Sequence, residues 1–177
     1  MDPGCQLSQE EKWNRYRKHR NDVLDPGYQN FVKPVYDAVL SSFSSNDKGL
    51  DFGCGDGPVI SYLLEKKGFN IDLYDPCFRD NTSYLLKEYD FIILSEVMEH
   101  FEDPSREFKL LFSLLKPGGK IFCLTELISD AIDLEKWNYL SDETHVFFYD
   151  ERTLEYIAKR FGYSMHSVNG RLIVFSK

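Results

Sequence analysis

One segment limits what this 177-residue chain can fold into more than any other: Gly49-Leu-Asp-Phe-Gly-Cys-Gly-Asp-Gly-Pro58. An apolar run passes into a glycine turn and then into a helical pattern, as a buried strand does when it opens onto a helix N-terminus. Gly53, Gly55 and Gly57 can take positive φ and let the backbone approach a ligand, while Pro58 suits the first helical position, where no amide hydrogen is needed. Asp51 separates this turn from a phosphate loop. Helix N-termini attract phosphate, so a phosphate site has reason to keep carboxylates away, whereas a ligand with an ammonium group and no phosphate gains from one. Pro58 also stands where the dinucleotide fingerprint has its third glycine, which disfavours a nicotinamide oxidoreductase.

The remaining pattern alternates strands and helices. Apolar runs near 49–53, 69–75, 90–95 and 119–125 read as strands of a parallel sheet covered on both faces. Ser8 and Glu11 form a capping box for a helix through about Arg20, and Val32, Val35, Tyr36, Val39 and Phe43 follow helical spacing in a second. Residues 41–47 read as a linker, giving an N-terminal helical extension or lid over 1–48 and a main domain over 49–177. Later helices are marked by Ile60, Leu63 and Leu64, by Asp103-Pro104 with Phe108, Leu111, Phe112 and Leu115, and by Asp150 with Leu154, Ile157, Ala158 and Phe161. Asn169-Gly170 has the signature of a type I′ hairpin at the C-terminus. Only about 14 residues separate Asp75 from the strand near Asp90, too few for a helix, a strand and another helix, so a third strand is missing or vestigial.

These segments resemble, from Asp51 to Lys177, the class I S-adenosylmethionine-dependent methyltransferases, including ubiquinone-pathway O-methyltransferases. The glycine turn is joined in the right order by Asn70-Ile-Asp-Leu-Tyr-Asp75, by 89–101 and by Leu114-Leu-Lys-Pro-Gly-Gly-Lys-Ile-Phe122. The resemblance implies a Rossmann-like three-layer sandwich with a mostly parallel sheet and a C-terminal antiparallel hairpin. It implies S-adenosylmethionine as cofactor, which carries an amine and a sulfonium and no phosphate. Its contacts would come from Asp51, Gly53, Cys54, Gly55 and Gly57, from Asp75 at the ribose hydroxyls, and from Pro76, Ser95 and Glu96 around the adenine. The family's acidic contact to the adenine amino group has no counterpart that can be assigned here.

Glu96, Glu99 and His100 would share one face if the chain turned helical after Ser95. With His145 they resemble the metal ligands of small-RNA 3′-end 2′-O-methyltransferases and some ubiquinone-pathway enzymes, which implies a site for Mg, Mn or Zn. The alternative is that the carboxylate meets the cofactor and the imidazoles pack locally. His145 could equally serve as the base that takes a proton from a hydroxyl acceptor, or be a packed core histidine. The Asn/Asp-Pro-Pro-aromatic motif of many amino-group methyltransferases is absent, which favours O-methylation. Lys12, Arg15, Arg17, Lys18 and Arg20, interleaved with Trp13 and Tyr16, are either a solvated face or a cationic lid suited to a carboxylated or phosphorylated acceptor. Trp137, Tyr139, Phe147 and Phe148 are candidates for the acceptor pocket.

A net charge of −8 argues against a protein that holds nucleic acid through phosphate contacts and points to a small-molecule acceptor. The four cysteines show no metal or disulfide spacing and read as free thiols in the cytoplasm. No run approaches the roughly 18 apolar residues of a membrane span. A noncatalytic cofactor-binding or partner-binding protein is the alternative to an enzyme.

Overall fold

The computed structural model describes residues 7–17 and 21–177. Eleven named elements run in the order α1 (Gln9–Tyr16), α2 (Pro26–Ser42), β1 (Lys48–Phe52), α3 (Val59–Glu65), β2 (Asn70–Tyr74), β3 (Tyr89–Ser95), α4 (Pro104–Leu114), β4 (Leu115–Leu124), α5 (Glu151–Phe161), β5 (Ser164–Asn169) and β6 (Leu172–Ser176). One six-stranded sheet has the order β2-β1-β3-β4-β6-β5. The first four strands are parallel, and β6 and β5 close one edge as an antiparallel hairpin.

Side chains alternate across this sheet, as strand geometry requires. Leu50, Ile92, Leu94, Ile121 and Cys123 pack on α4 and α5 through Phe108, Leu111, Leu154 and Ile157. On the other face Phe91, Ile93, Phe122 and Leu124 meet α2 and α3 through Val32, Val35, Val39, Ile60 and Leu64. The three-layer expectation therefore holds, and α2 is part of the layer that covers the sheet.

Helix ends follow the capping chemistry. Ser8 and Glu11 make the reciprocal capping box of α1. Asp103 and Asp150 accept amides of the first turns of α4 and α5, and Gly162 ends α5 at φ 83°. The third strand is absent among the described residues: after β2 come a tight turn over 75–79 and a 3₁₀ turn, Thr82–Leu86, before β3. No helix of the described residues is long and apolar enough to cross a membrane.

Four local expectations are corrected. Pro58 is the N-cap of α3 with φ −76° and ψ 76°, and Val59 is the first helical residue. Leu115 opens β4 and does not close α4. The hairpin loop is Gly170-Arg171, since Asn169 pairs with Leu172, and positive φ at Gly170 alone (58°) is the type II′ pattern. The chain after Ser95 does not continue as an α-helix: Glu96 is left-handed at φ 54°, and only a short 3₁₀ turn, Met98–His100, follows.

Candidate active site

A cavity of about 1050 Å³ opens at the carboxyl ends of the parallel strands, lined from Asp51 through Ile60 after β1, by Tyr74 to Phe78 after β2, by Ser95 to Val97 after β3 and by Glu126 after β4. Open α/β sheets place ligands there. Strand ends deliver these side chains because each strand stops where its ladder stops, leaving the next residue to turn upward.

The glycine turn is built from three different constraints. Gly55 has φ 64°, and a Cβ there would meet nothing within 4 Å, so its substituent space is open cavity. Gly53 has φ 77°, and a Cβ would come within 2.6 Å of Val97. Gly57 does not use positive φ; a Cβ would lie 1.8 Å from the carbonyl oxygen of Asn21, which presses against the turn. Cys54 also lines the cavity, and burial pushes its thiol pKa up.

Two carboxylates flank the turn. Asp51 is 4% exposed and accepts from Ser61 Oγ at 2.6 Å. Burial pushes its pKa up to about 6, with Ser61 opposing and Asp75 adding to the rise. Asp75 accepts the Gly55 amide at 3.0 Å through one oxygen, and the amides of Cys77 (2.8 Å) and Phe78 (3.0 Å) through the other. Pro76 follows in the cavity wall. Ser95 Oγ is buried without a hydrogen-bond partner among the described residues.

Behind the wall formed by His100, Tyr139 and His145 lies Glu99, which is fully buried. Its carboxylate accepts from Tyr139 OH and from Thr125 Oγ1 (3.1 Å), and those two hydroxyls are themselves 2.9 Å apart. Burial raises its pKa, and the hydrogen bond from Tyr139 opposes the rise. The Glu99 carbonyl accepts the amides of Val146 (2.9 Å) and Phe147 (3.1 Å), which ties the loop before α5 to the turn after β3 and so carries His145 across 45 positions of sequence to Glu99. Both imidazoles face carbonyl oxygens through Nδ1: His100 at 2.9 Å from Thr144 and His145 at 2.7 Å from Tyr139. A carbonyl only accepts, so Nδ1 carries the proton in each ring, and in a neutral His145 Nε2 presents the lone pair. The two rings lie 4.8 Å apart between centroids. Burial lowers the pKa of His145, with the Tyr139 carbonyl opposing, which keeps the ring neutral at neutral pH.

Glu99, His100 and His145 lie together, with ligand atoms within 4.8 Å of one another. Glu96 does not join them. Its left-handed backbone turns the side chain toward Arg171, whose Nη2 lies 2.8 and 2.7 Å from the two carboxylate oxygens. Burial, followed by the charge of Glu99, still pushes the Glu96 pKa up to about 8.

Two cations of the N-terminal helix are paired with carboxylates. Lys12 is 5% exposed and pairs with Glu102 at 2.5 Å, and Arg15 pairs with Asp142 (3.3 Å) and Glu143 (2.7 Å). With Trp13 and Tyr16 these residues line the cavity, and the Tyr16 ring stands edge-on to His100. Lys18, His19 and Arg20 lie outside the described residues, as does Cys5. Tyr139 lines the cavity, Trp137 and Phe148 pack on it, and Phe147 is 41% exposed.

A family model described as a methyltransferase domain matches residues 16–168. The chain belongs to that family. Among curated relatives of this methyltransferase, a ubiquinone biosynthesis O-methyltransferase of Erwinia tasmaniensis is 30% identical over 81 residues, which are 46% of this chain and 33% of the relative. One from Dinoroseobacter shibae is 35% identical over 81 residues, 44% and 31% of the two chains. The matched segment is thus about a third of those relatives' length. The fold resembles a SAM-dependent methyltransferase from Archaeoglobus fulgidus (TM-score 0.63, 20% identity, 84% of this chain and 94% of that one). It also resembles a Haemonchus contortus phosphoethanolamine N-methyltransferase 2 in complex with S-adenosyl-L-methionine (TM-score 0.56, 17% identity, 73% and 36% of the chains).

Several residues around the cavity have no motif of their own. Thr125 follows β4, and Tyr139, a candidate for the acceptor pocket from the sequence, lies in a 3₁₀ turn, Asn138–Ser141; both reach Glu99 only through the fold. Arg171 enters from the hairpin loop, with its guanidinium 4.8 Å from the Phe31 ring. Asn21 and Tyr28 come from ahead of the sheet, joined to each other at 3.2 Å. The turn chemistry around Asn169-Gly170 was the one available signal, and it marked the loop without marking Arg171 as part of the site.

Proposed function

We propose that the chain transfers a methyl group from S-adenosylmethionine to a hydroxyl of a small molecule, with His145 as proton acceptor. The observation that carries this is one cavity holding an open glycine turn between two carboxylates at one end and a neutral, oriented imidazole at the other. The residues suit the cofactor on three counts: the space at Gly55 is open, and among the described residues the buried Ser95 hydroxyl has no partner and the buried Asp51 acid has no cation bonded to it.

Asp75 would accept from the ribose hydroxyls, Asp51 would balance the ammonium, and Pro76 and Ser95 would border the adenine. When bound, the cofactor supplies a methyl group on a cationic sulfur. The chain's own work is positioning and proton removal. His145 Nε2 would take the proton of the acceptor hydroxyl, Tyr139's carbonyl holds the ring's tautomer, and the buried Glu99 carboxylate would favour the imidazolium that results. Helix α1, placed over the cavity by its ion pairs, acts as the cover that keeps water out. Lys12 and Arg15 are each held by carboxylates, so neither is free to pair with an anionic acceptor, which favours a neutral acceptor over a carboxylate or phosphate.

A second arrangement is favoured by the grouping of Glu99, His100 and His145: a divalent metal held by these three, lowering the pKa of the acceptor hydroxyl. His145 cannot be ligand and base through the same nitrogen, so the two readings exclude each other. Transfer of labelled methyl to a panel of phenols, catechols and amines, with and without chelator, separates them. Binding of cofactor with no transfer to any acceptor would leave a cofactor-binding protein instead.

A further inference from the structure

We propose that Arg79 is the positioning residue of the glycine turn, doing from the end of β2 what no neighbouring strand is present to do; this rests on the reading of the cavity as a cofactor site. The chain leaving β2 closes on itself at once. Asp75 and Arg79 exchange both backbone hydrogen bonds (3.2 and 2.8 Å), and the Asp75 carboxylate holds the amides of Cys77 and Phe78 inside the turn. This closure sends the Arg79 side chain back toward the glycines.

There the guanidinium spans two consecutive peptide units. Nη1 donates to the Gly55 carbonyl at 2.5 Å and Nη2 to the Asp56 carbonyl at 3.1 Å. Gly55 is thus gripped from both sides by one five-residue turn: its amide by Asp75 at 3.0 Å, its carbonyl by Arg79. No atom lies within 4 Å of where a Gly55 side chain would begin, so packing does not hold this residue in its left-handed conformation at φ 64°; hydrogen bonds do. A glycine without such bonds samples both signs of φ, and the turn would lose the shape that leaves room for a ligand.

The division of labour between the two partners follows from their chemistry. Hydroxyl groups of a ligand compete for the Asp75 carboxylate, which weakens its hold on the Gly55 amide when the site fills. The bonds from Arg79 go to carbonyls on the far side of the turn and are untouched by that competition. A planar fork carries its donors on two separate nitrogens and so spans two consecutive carbonyls; an ammonium has its three donors on one atom and reaches both only where the two oxygens converge on that atom.

The test compares Arg79→Lys and Arg79→Ala with the unmodified protein, using S-adenosylhomocysteine as probe in calorimetry and thermal melting without ligand. Arg79→Ala should raise Kd about tenfold or more, as expected for losing charge-assisted bonds that shape the site. Arg79→Lys should fall between. Melting without ligand should move little in Arg79→Lys, and methylguanidinium in the buffer should restore affinity to Arg79→Ala. With an acceptor in hand, the cofactor KM should rise while kcat at saturation stays within about threefold. Unchanged Kd in Arg79→Lys would overturn the two-carbonyl grip, and so would a loss in Arg79→Ala that methylguanidinium does not reverse. Should Arg79→Ala fail to fold, the Arg79→Lys comparison decides alone. No binding by the unmodified protein would overturn the cofactor reading itself, and this proposal with it.

Discussion

Asp51→Asn isolates the carboxylate that the cavity buries. In the ligand-free protein Asp51 has a pKa of about 6, raised from the usual carboxylate value of 3.8 chiefly by burial. A bound ammonium favours the ionised acid and should bring the pKa back below about 4, so binding expels a proton at any pH between these values. With a pKa near 6, about a tenth of the free protein is ionised at pH 5 and about nine tenths at pH 7, so affinity should rise about tenfold over that interval and level off above it. Asn removes the titration while keeping an oxygen for Ser61, which donates at 2.6 Å. Calorimetry with S-adenosylhomocysteine from pH 5 to 8, in buffers of different ionisation enthalpy, reads both slope and proton release. The same acid has the opposite effect on stability. Because its folded pKa is raised, the stability it allows is full below about pH 4 and is lost as pH climbs through 6; the shift of about two units corresponds to about 3 kcal/mol at most. Asp51→Asn should therefore melt higher than the unmodified protein at pH 7, by at least about 2 °C, and bind more weakly. A tenfold slope that persists in Asp51→Asn, or affinity flat in pH for the unmodified protein, would refute the assignment of Asp51 to the ammonium.

Sequence patterns carried the four parallel strands because each has an apolar run, and carried α1, α4 and α5 because each has a side-chain cap; both are local properties. The short distance from Asp75 to β3 was enough to show that a strand is missing, since crossovers have a minimum length. Glu96 shows where this kind of inference stops. Its spacing to Glu99 and His100 suggests one helical face, but the left-handed residue at the end of β3 breaks the periodicity on which the spacing argument depends. The approach of His145 was legible as composition and illegible as geometry, because two amides bonded to the Glu99 carbonyl place it. The cations of α1 illustrate a third limit. Charge is countable in a sequence, whereas the partners Glu102, Asp142 and Glu143 that cancel it lie about 90 to 130 positions away. Gly57 gives a fourth, since its need for a missing side chain comes from the main chain at Asn21.

Three further outcomes are expected. Asp75→Ala should weaken S-adenosylhomocysteine binding by about 2 to 3 kcal/mol, as charge-assisted bonds to two hydroxyls are lost; unchanged affinity in calorimetry would remove Asp75 from the ribose site. Gly55→Val should abolish binding while leaving the far-ultraviolet circular dichroism intact, because the new side chain enters open cavity and its φ of 64° costs only about 1 to 2 kcal/mol; a folded variant that still binds would place the ligand elsewhere. The last concerns the acceptor end, where base and metal make opposite predictions. If His145 is the base, kcat/KM should rise with pH through a pKa below the ordinary imidazole value, because burial lowers it, and His145→Ala should lose about 10² to 10⁴ in rate with cofactor Kd unchanged. EDTA should then have no effect. If instead chelation abolishes transfer and Mg or Mn restores it, Glu99→Gln should be as damaging as His145→Ala, since either change removes one of three ligands from a cluster that has no fourth member among the described residues. Rapid transfer by His145→Ala in chelator would exclude both roles and leave the imidazole as packing against Tyr139, whose ring centroid is 4.1 Å away.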